Sequence, residues 1–306
     1  MNLFDQHAPE RLATVLFATD FSTASENAGH YAAAFAQYFG AKLVVAHGFY
    51  LDQAALEAET FRELASRQRS SLKKELDEVI RDLAGGGGTT ESVLVEEDPR
   101  RAIAELARQL RPSLIVLGTH GGGVVERFVL GSTAEGILRH SHEPVLTVGP
   151  KVPLLHTHSD THSDKTPLRI RRILLATNNT AGSAVVTALA VTLASAFSAT
   201  LDVLNVVHPK SVENTLEAPH NLYGKHEEAE AMLPPDARKA AEIRTFVSVG
   251  QPRTEILKHI HEREIELLVL GLSADSQMEM QGHLSGAFPI IAEATCPVLT
   301  LTAATQ

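Results

Sequence analysis

Tryptophan is absent from this 306-residue chain, tyrosine occurs four times and cysteine once. Without tryptophan and with so few tyrosines, the chain has little of the stacking platform on which single-stranded nucleic acid is held. The lone Cys296 can neither close an intrachain disulfide nor furnish a cysteine-rich metal site, so packing alone must hold the fold and the cytosol is the default compartment. No run approaches the ~18 consecutive apolar residues of a membrane helix. Residues Met1 to Asp20 carry Asp5, Glu10 and Asp20, and Thr14 interrupts the stretch from Leu12 to Ala18, so a secretory leader is not expected. Lysine and arginine form no block, and 27 of them against 37 acidic residues leave a formal charge of −10. That balance disfavours nucleic-acid backbones and anionic membrane surfaces as partners. What remains is a globular composition, 44% hydrophobic, in a chain long enough for about two domains at ~150 residues each.

The sequence is written twice. Thr14-Val-Leu-Phe-Ala-Thr-Asp20 recurs as Arg172-Ile-Leu-Leu-Ala-Thr-Asn178, and Leu43-Val-Val-Ala-His47 as Leu201-Asp-Val-Leu-Asn205, both 158 residues later. Leu114-Ile-Val-Leu-Gly118 recurs as Leu267-Leu-Val-Leu-Gly271, and Pro144-Val-Leu-Thr147 as Pro297-Val-Leu-Thr300, both 153 residues later. A period this long means duplicated domains, expected over residues 1–150 and 168–306 with a linker at 151–167. That linker is rich in Ser, Thr, His and Asp. Its His156, His158, Asp160, His162 and Asp164 alternate on an extended segment that offers no fixed ligand geometry, which reads as solvated chain.

Each copy alternates short β-branched runs with amphipathic stretches, the pattern of βαβ units around a parallel sheet. In the first copy strands are expected near 14–19, 42–48, 91–96, 113–118 and 144–149, nearly all apolar because helices cover both faces. Helices are expected at Ser25 to Phe39, Ala54 to Leu83, Pro99 to Leu110 and Ser132 to Arg139, with Gly40 ending the first and a flexible loop at Gly85 to Gly88.

The chemistry-bearing motif stands at the end of the fourth strand. Gly118-Thr-His-Gly121 is followed, after nine intervening residues, by Gly131-Ser132-Thr133, the pattern G-x2-G-x9-G-S. The loop leaves the carboxyl end of a strand, where open α/β sheets take ligands, and Gly131-Ser132-Thr133 opens a helix. A helix start presents unpaired N–H groups and a positive dipole end, and the glycines let backbone approach a phosphate. Ser132 and Thr133 add hydroxyls, and either could cap the helix.

This spacing, with Ala18-Thr-Asp20-Phe-Ser22 after the first strand and Glu143-Pro-Val-Leu-Thr-Val148 at the last, resembles the universal stress protein family across both halves. The resemblance implies two Rossmann-like α/β domains of the HUP type, similar to adenine nucleotide alpha hydrolases. Each would be a five-stranded parallel sheet of order 3-2-1-4-5 between helices. It implies ATP, with or without magnesium, across the carboxyl edge of the first sheet. Asp20 would contact the adenosine portion and Gly48 adenine through its backbone, with Ala18 and Leu117 flanking the base. Gly118, His120, Gly121, Gly131, Ser132 and Thr133 would line ribose and phosphates. Taken singly, these residues keep other readings: Asp20 as a helix cap, glycines as turns, His120 as a polar loop residue. The resemblance further implies that the two last strands pair antiparallel as an internal pseudo-dimer, with a homodimer of chains as an open extension.

The second copy keeps the frame and loses the motif. Gly121 becomes Ala274, Gly131 becomes Leu284, Asp20 becomes Asn178, and Gly271 and Ser285 are kept. Pro289 is expected to disrupt the helix that should follow. This half is read as nucleotide-free or as binding something else. Other chemistry lacks its residues: no G-x-G-x-x-G follows the first strand, no G-x-x-x-x-G-K-[ST] occurs, and Gly271-Leu-Ser273-Ala-Asp275 fails as a nucleophile elbow at its last position. His259 and His261 lie two apart on a helix and face different ways, against a metal pair. Three readings stand: a cytoplasmic ATP-dependent stress-response regulator, a slow ATP hydrolase in the same pocket lacking a convincing general base in Asp20 or Glu126, and a nucleotide-free interaction scaffold.

Overall fold

The computed structural model describes residues 12–50, 58–83, 89–119, 130–155, 168–178, 183–209, 218–273 and 286–303. The first half runs β1 (Thr14–Ala18), α1 (Thr23–Phe39), β2 (Lys42–Phe49), α2 (Ala58–Leu83), β3 (Thr90–Glu96), α3 (Pro99–Leu110), β4 (Leu114–Gly118), α4 (Ser132–His140) and β5 (Val145–Val148). The second repeats it as β6 (Arg172–Thr177), α5 (Ser183–Phe197), β7 (Thr200–Val207), α6 (Ala218–Ala231), α7 (Ala237–Ala240), β8 (Ile243–Val249), α8 (Pro252–Glu262), β9 (Leu267–Ser273), α9 (Ala287–Glu293) and β10 (Val298–Ala303). The loop at Gly85 to Gly88 and the histidine-rich stretch from His156 lie outside the described residues. No helix among the described residues is long and apolar enough to cross a membrane.

Strand alternation sorts the apolar residues into two layers. Val15, Phe17, Leu43, Val45, Leu114 and Val116 pack against α1 and α2. Leu16, Val44, Ile115 and Leu117 face α3 and α4. A period of two along each strand puts neighbours on opposite faces, so continuous apolar runs feed both layers. Local chemistry sets the helix ends. The Ser22 hydroxyl accepts from Ser25 N–H to start α1, and Gly40 ends it at φ 64°. Asp98 accepts from Arg100 N–H ahead of Pro99 in α3, which Arg111 ends at φ 44°. The second half reproduces both left-handed stops at the matching positions, Ser198 (φ 53°) and Glu264 (φ 50°), without glycine. A side chain in that region costs about 1–2 kcal/mol, so the turn from helix to next strand, rather than residue preference, dictates the conformation.

Each half has strand order 3-2-1-4-5, and the two join into one ten-stranded sheet, β3-β2-β1-β4-β5-β10-β9-β6-β7-β8. The seam is antiparallel, with Leu299 opposite Leu146, Val298 opposite Thr147 and Thr300 opposite Val145. These are equivalent positions in reverse order, so a local two-fold axis passes between Leu146 and Leu299. Its polar contacts obey the same symmetry: Thr147 Oγ1 donates to Val298 O at 3.1 Å and Thr300 Oγ1 to Val145 O at 3.2 Å. Pairing the two last strands removes the open apolar edge each would carry alone. Phe35, Tyr38 and Phe39 of α1 close on Phe197 of α5, and the Tyr38 hydroxyl donates to Ala196 O at 2.6 Å. On the opposite layer the Arg139 guanidinium lies 5.6 Å from the Phe288 ring centre.

The segment expected to be solvated linker begins instead as packed chain. Val152 is buried, Asn27 Nδ2 donates to Val152 O and Pro153 O, and Leu155 N–H donates back to Asn27 Oδ1. The side-chain amide of Asn27 offers donors and an acceptor at once, and so helps to fix this segment, together with the Tyr31 hydroxyl, which donates to Pro153 O. Cys296 is also buried, and burial pushes its thiol up to about 12.

Opposed residues of an antiparallel pair have Cα atoms ~4.5–5.5 Å apart, inside the span a disulfide accepts. With Cys296→Ala as background, Val145→Cys with Thr300→Cys should therefore crosslink at monomer mass on mild oxidation, read by non-reducing electrophoresis and peptide mapping. Crosslinks formed only between chains would contradict the internal seam.

Candidate functional site

The carboxyl ends of β1, β2 and β4 meet because β1 is central: Ala18 pairs with Ala46 on one side and Leu117 on the other. Ala18, Gly48 and Leu117 share the face toward α3, while Gly118 faces α1. Two backbone bonds continue the frame past the strands, Thr19 N–H to Ala46 O at 2.9 Å and Thr119 N–H to Val148 O at 3.1 Å. A third, Gly131 N–H to Thr119 O at 2.7 Å, closes the base of the loop between β4 and α4. Gly118 and the start of α4 are thereby brought to one edge. His120 and Gly121 lie outside the described residues.

Gly131 is the N-cap of α4, and among the described residues no side chain caps that helix. Ser132 and Thr133 were candidates for the cap; they instead occupy the first two helical positions, and Ser132 is exposed. The first N–H groups of a helix have no intrahelical acceptor, and among the described residues no capping side chain serves those of α4.

Across the edge, the β1–α1 turn is tightly organised. Asp20 Oδ1 accepts from Ser22 N–H at 3.0 Å and from its hydroxyl at 2.6 Å, so Asp20 supports the capping residue of α1 instead of being the cap. Phe21 is held at φ 61°, a left-handed backbone that a bulky residue adopts only under constraint. The constraint is visible: Phe21 N–H donates to Thr19 Oγ1 at 3.0 Å, and its ring lies 4.4 Å from the His47 ring. His47 Nδ1 donates to Thr19 O at 2.8 Å, which fixes its tautomer. Thr19 and His47 were not singled out in the sequence. The available signal was the repeat, since Asn205 answers His47 and its Nδ2 donates to Thr177 O at 3.1 Å in the same place.

Two glycines have packing reasons. A Cβ on Gly48 would sit 2.8 Å from Pro99 Cα and 3.0 Å from Ala102 Cβ, so α3 approaches β2 only over a glycine. A Cβ on Gly118 would come within 3.2 Å of the Ala24 backbone. Gly131 differs: its φ −60° and ψ 146° suit any residue, so torsion does not require a glycine there.

Two open grooves of this half, about 570 and 720 Å³, run along α3 and α4, the first reaching Ser132 at the edge. Two of their arginines are matched: Asp98 holds Arg100 through two oxygens, at 3.1 Å each, and Glu135 holds Arg139. The Arg100 guanidinium keeps the Asp98 carboxyl below the usual range. Among the described residues no cluster of His, Cys, Asp and Glu could hold a metal ion.

The sequence profile of the universal stress protein family matches residues 12–149 and again 169–301. The chain belongs to the universal stress protein family. A universal stress protein of Thermus aquaticus is 31% identical over 135 residues, 44% of this chain and 97% of that protein. One from Methanocaldococcus jannaschii is 25% identical over 153 residues, 45% and 94% of the respective chains. The crystal structure of a universal stress protein from Archaeoglobus fulgidus covers 96% of this chain and 97% of its own, with TM-score 0.69 at 18% identity, a likeness of fold.

The second universal stress protein repeat departs from the first at the same edge. Asn178, in place of Asp20, accepts from the Ser183 hydroxyl at 3.2 Å. The expectation that Pro289 breaks the following helix is corrected: it is the third residue of α9. A helix's first turn has no intrahelical use for that N–H, so proline is tolerated there. Ala274, Leu284 and Ser285 lie outside the described residues. His259 points at Asp202 (3.1 Å) while His261 is exposed, so the two do face different ways.

Proposed function

We propose that this universal stress protein is a cytoplasmic regulator that binds ATP, one molecule per chain, at the carboxyl edge of its first half. The observation that carries the reading is the uncapped start of α4, drawn against Gly118 by the Gly131–Thr119 bond and open where Gly131 needs no glycine for its own torsions. Unpaired N–H groups on a helix dipole attract phosphate. Gly118, Gly131, Ser132 and Thr133 would take the phosphates, with His120 and Gly121 from the loop. Asp20 would accept from ribose. Ala18 and Leu117 would flank the base. Because Pro99 covers the face of Gly48, adenine would meet only its backbone edge.

Occupancy would act by altering conformation or the choice of protein partner. Hydrolysis is not the favoured reading: Asp20 lies at the adenosine end and its Oδ1 already serves Ser22. Titration calorimetry of the full chain with ATP, ADP and AMP tests the proposal. One site per chain is expected, with affinity falling as phosphates are removed. No heat with ATP up to millimolar concentration, or two equivalent sites, would overturn it.

A further inference from the structure

The second half carries a cavity of about 230 Å³ at the carboxyl ends of β6, β7 and β9, under the starts of α5, α8 and α9. Position by position it is the counterpart of the edge just described, and the replacements run in one direction. Asn178 removes the charge of Asp20. Val206 stands for Gly48, Leu204 for Ala46 and Val186 for Ala28, so branched aliphatic side chains line what is backbone or methyl in the first half. Pro252, Ile256 and Ile290 keep the characters of Pro99, Ile103 and Ile137. Gly286 replaces Thr133 and removes a hydroxyl. Despite the larger side chains the space is not filled. Its polar side chains, Thr177, Asn178 and Ser183, come from the end of β6, the residue after it and the start of α5, and so lie at one end.

We propose that this cavity binds a small, uncharged, mainly apolar molecule with one hydrogen-bonding group, a ligand class distinct from nucleotides. An aliphatic concavity is a poor site for water, and an engineered one of ~150 Å³ binds benzene. The present volume therefore accommodates a bicyclic ring of indole size. Its polar rim can bond one N–H or hydroxyl, whereas among the described lining residues a triphosphate would find no positive charge, and Val186 stands over the backbone of Gly271. The proposal does not depend on nucleotide binding by the first half.

Methyl-resolved NMR of the full chain, titrated separately with indole and with ATP, tests it. Indole is expected to shift the methyls of Val186, Leu204, Val206, Ile256 and Ile290 saturably, and ATP to leave them in place. Two variants should weaken the indole response at least tenfold: Val186→Phe, which fills the cavity from its floor, and Gly286→Leu. A Cβ on Gly286 meets nothing within 4 Å, so the second variant folds even if the first does not. Absence of these shifts up to indole's solubility limit, shifts undiminished in Gly286→Leu, or movement of the same methyls by ATP would each overturn the proposal.

Discussion

Replacing Gly131 by leucine is expected to weaken ATP binding by roughly two to four orders of magnitude while leaving the fold intact. The native torsions at 131 are available to leucine, and its N–H can still donate to Thr119 O, so the backbone need not move. What changes is the approach to the first N–H groups of α4, which the new side chain would cover. Hydrogen bonds to a charged group contribute about 1.5–3 kcal/mol each. Losing two of them, at 1.4 kcal/mol per tenfold, gives the stated range. Calorimetry measures affinity and a thermal melt measures fold. Unchanged affinity in a folded variant would place the anion site elsewhere. The substitution also copies the second half, whose residue at this position is Leu284.

Asp202→Ala should destabilise the chain by about 3 kcal/mol, near the lower end of the range for breaking a buried ion pair. The Asp202 side chain is 4% exposed, and its Oδ2 accepts from His259 Nε2 at 3.1 Å and Arg263 Nε at 3.0 Å. Phe246 walls the cluster, with the Arg263 guanidinium 4.9 Å from its ring centre. The lower figure applies because Arg263 is a third exposed and can turn to water. In the first half the same three positions are Val44, Leu106 and Leu110, so Asp202→Val with His259→Leu and Arg263→Leu should restore stability to within about 1 kcal/mol of native.

The cluster also sets a pH dependence. Burial raises the Asp202 carboxyl, but the hydrogen bonds from His259 and Arg263 outweigh it and hold the group below its ordinary range. A depressed carboxylate contributes stability above its unfolded pKa, about 3.9, and loses it as pH falls through the lower folded value. Urea midpoints measured from pH 6 down to pH 3 should therefore fall more steeply in the native chain than in the triple variant. Equal slopes, or a loss under 1 kcal/mol in Asp202→Ala, would refute the role given to this cluster.

Much of the frame could be read from local signals. Strand limits agree with the apolar runs to within a residue or two, α3 begins at Pro99, and the 158- and 153-residue offsets recover the duplication. Hydrophobic period and helix-start chemistry are properties of neighbouring residues, so they survive without tertiary context. Placing the candidate site at one edge followed from the same logic, since a parallel βαβ order brings Asp20, Gly118 and Ser132 to the carboxyl ends of adjacent strands. What the packed chain alone decided concerns residues far apart in sequence. Asp202 lies 57 residues from His259 and 61 from Arg263, and nothing in an apolar strand announces those partners. Gly48 is bare because α3 needs to come close, not because a turn requires it. Asn27 holds a segment 125 residues away that composition marked as linker. The seam's register at Leu146 and Leu299 was likewise decided in three dimensions. Sequence pattern determines which face of an element is apolar; which surface covers that face, and where each buried polar group finds its partner, depends on contacts that exist only after the chain has closed on itself.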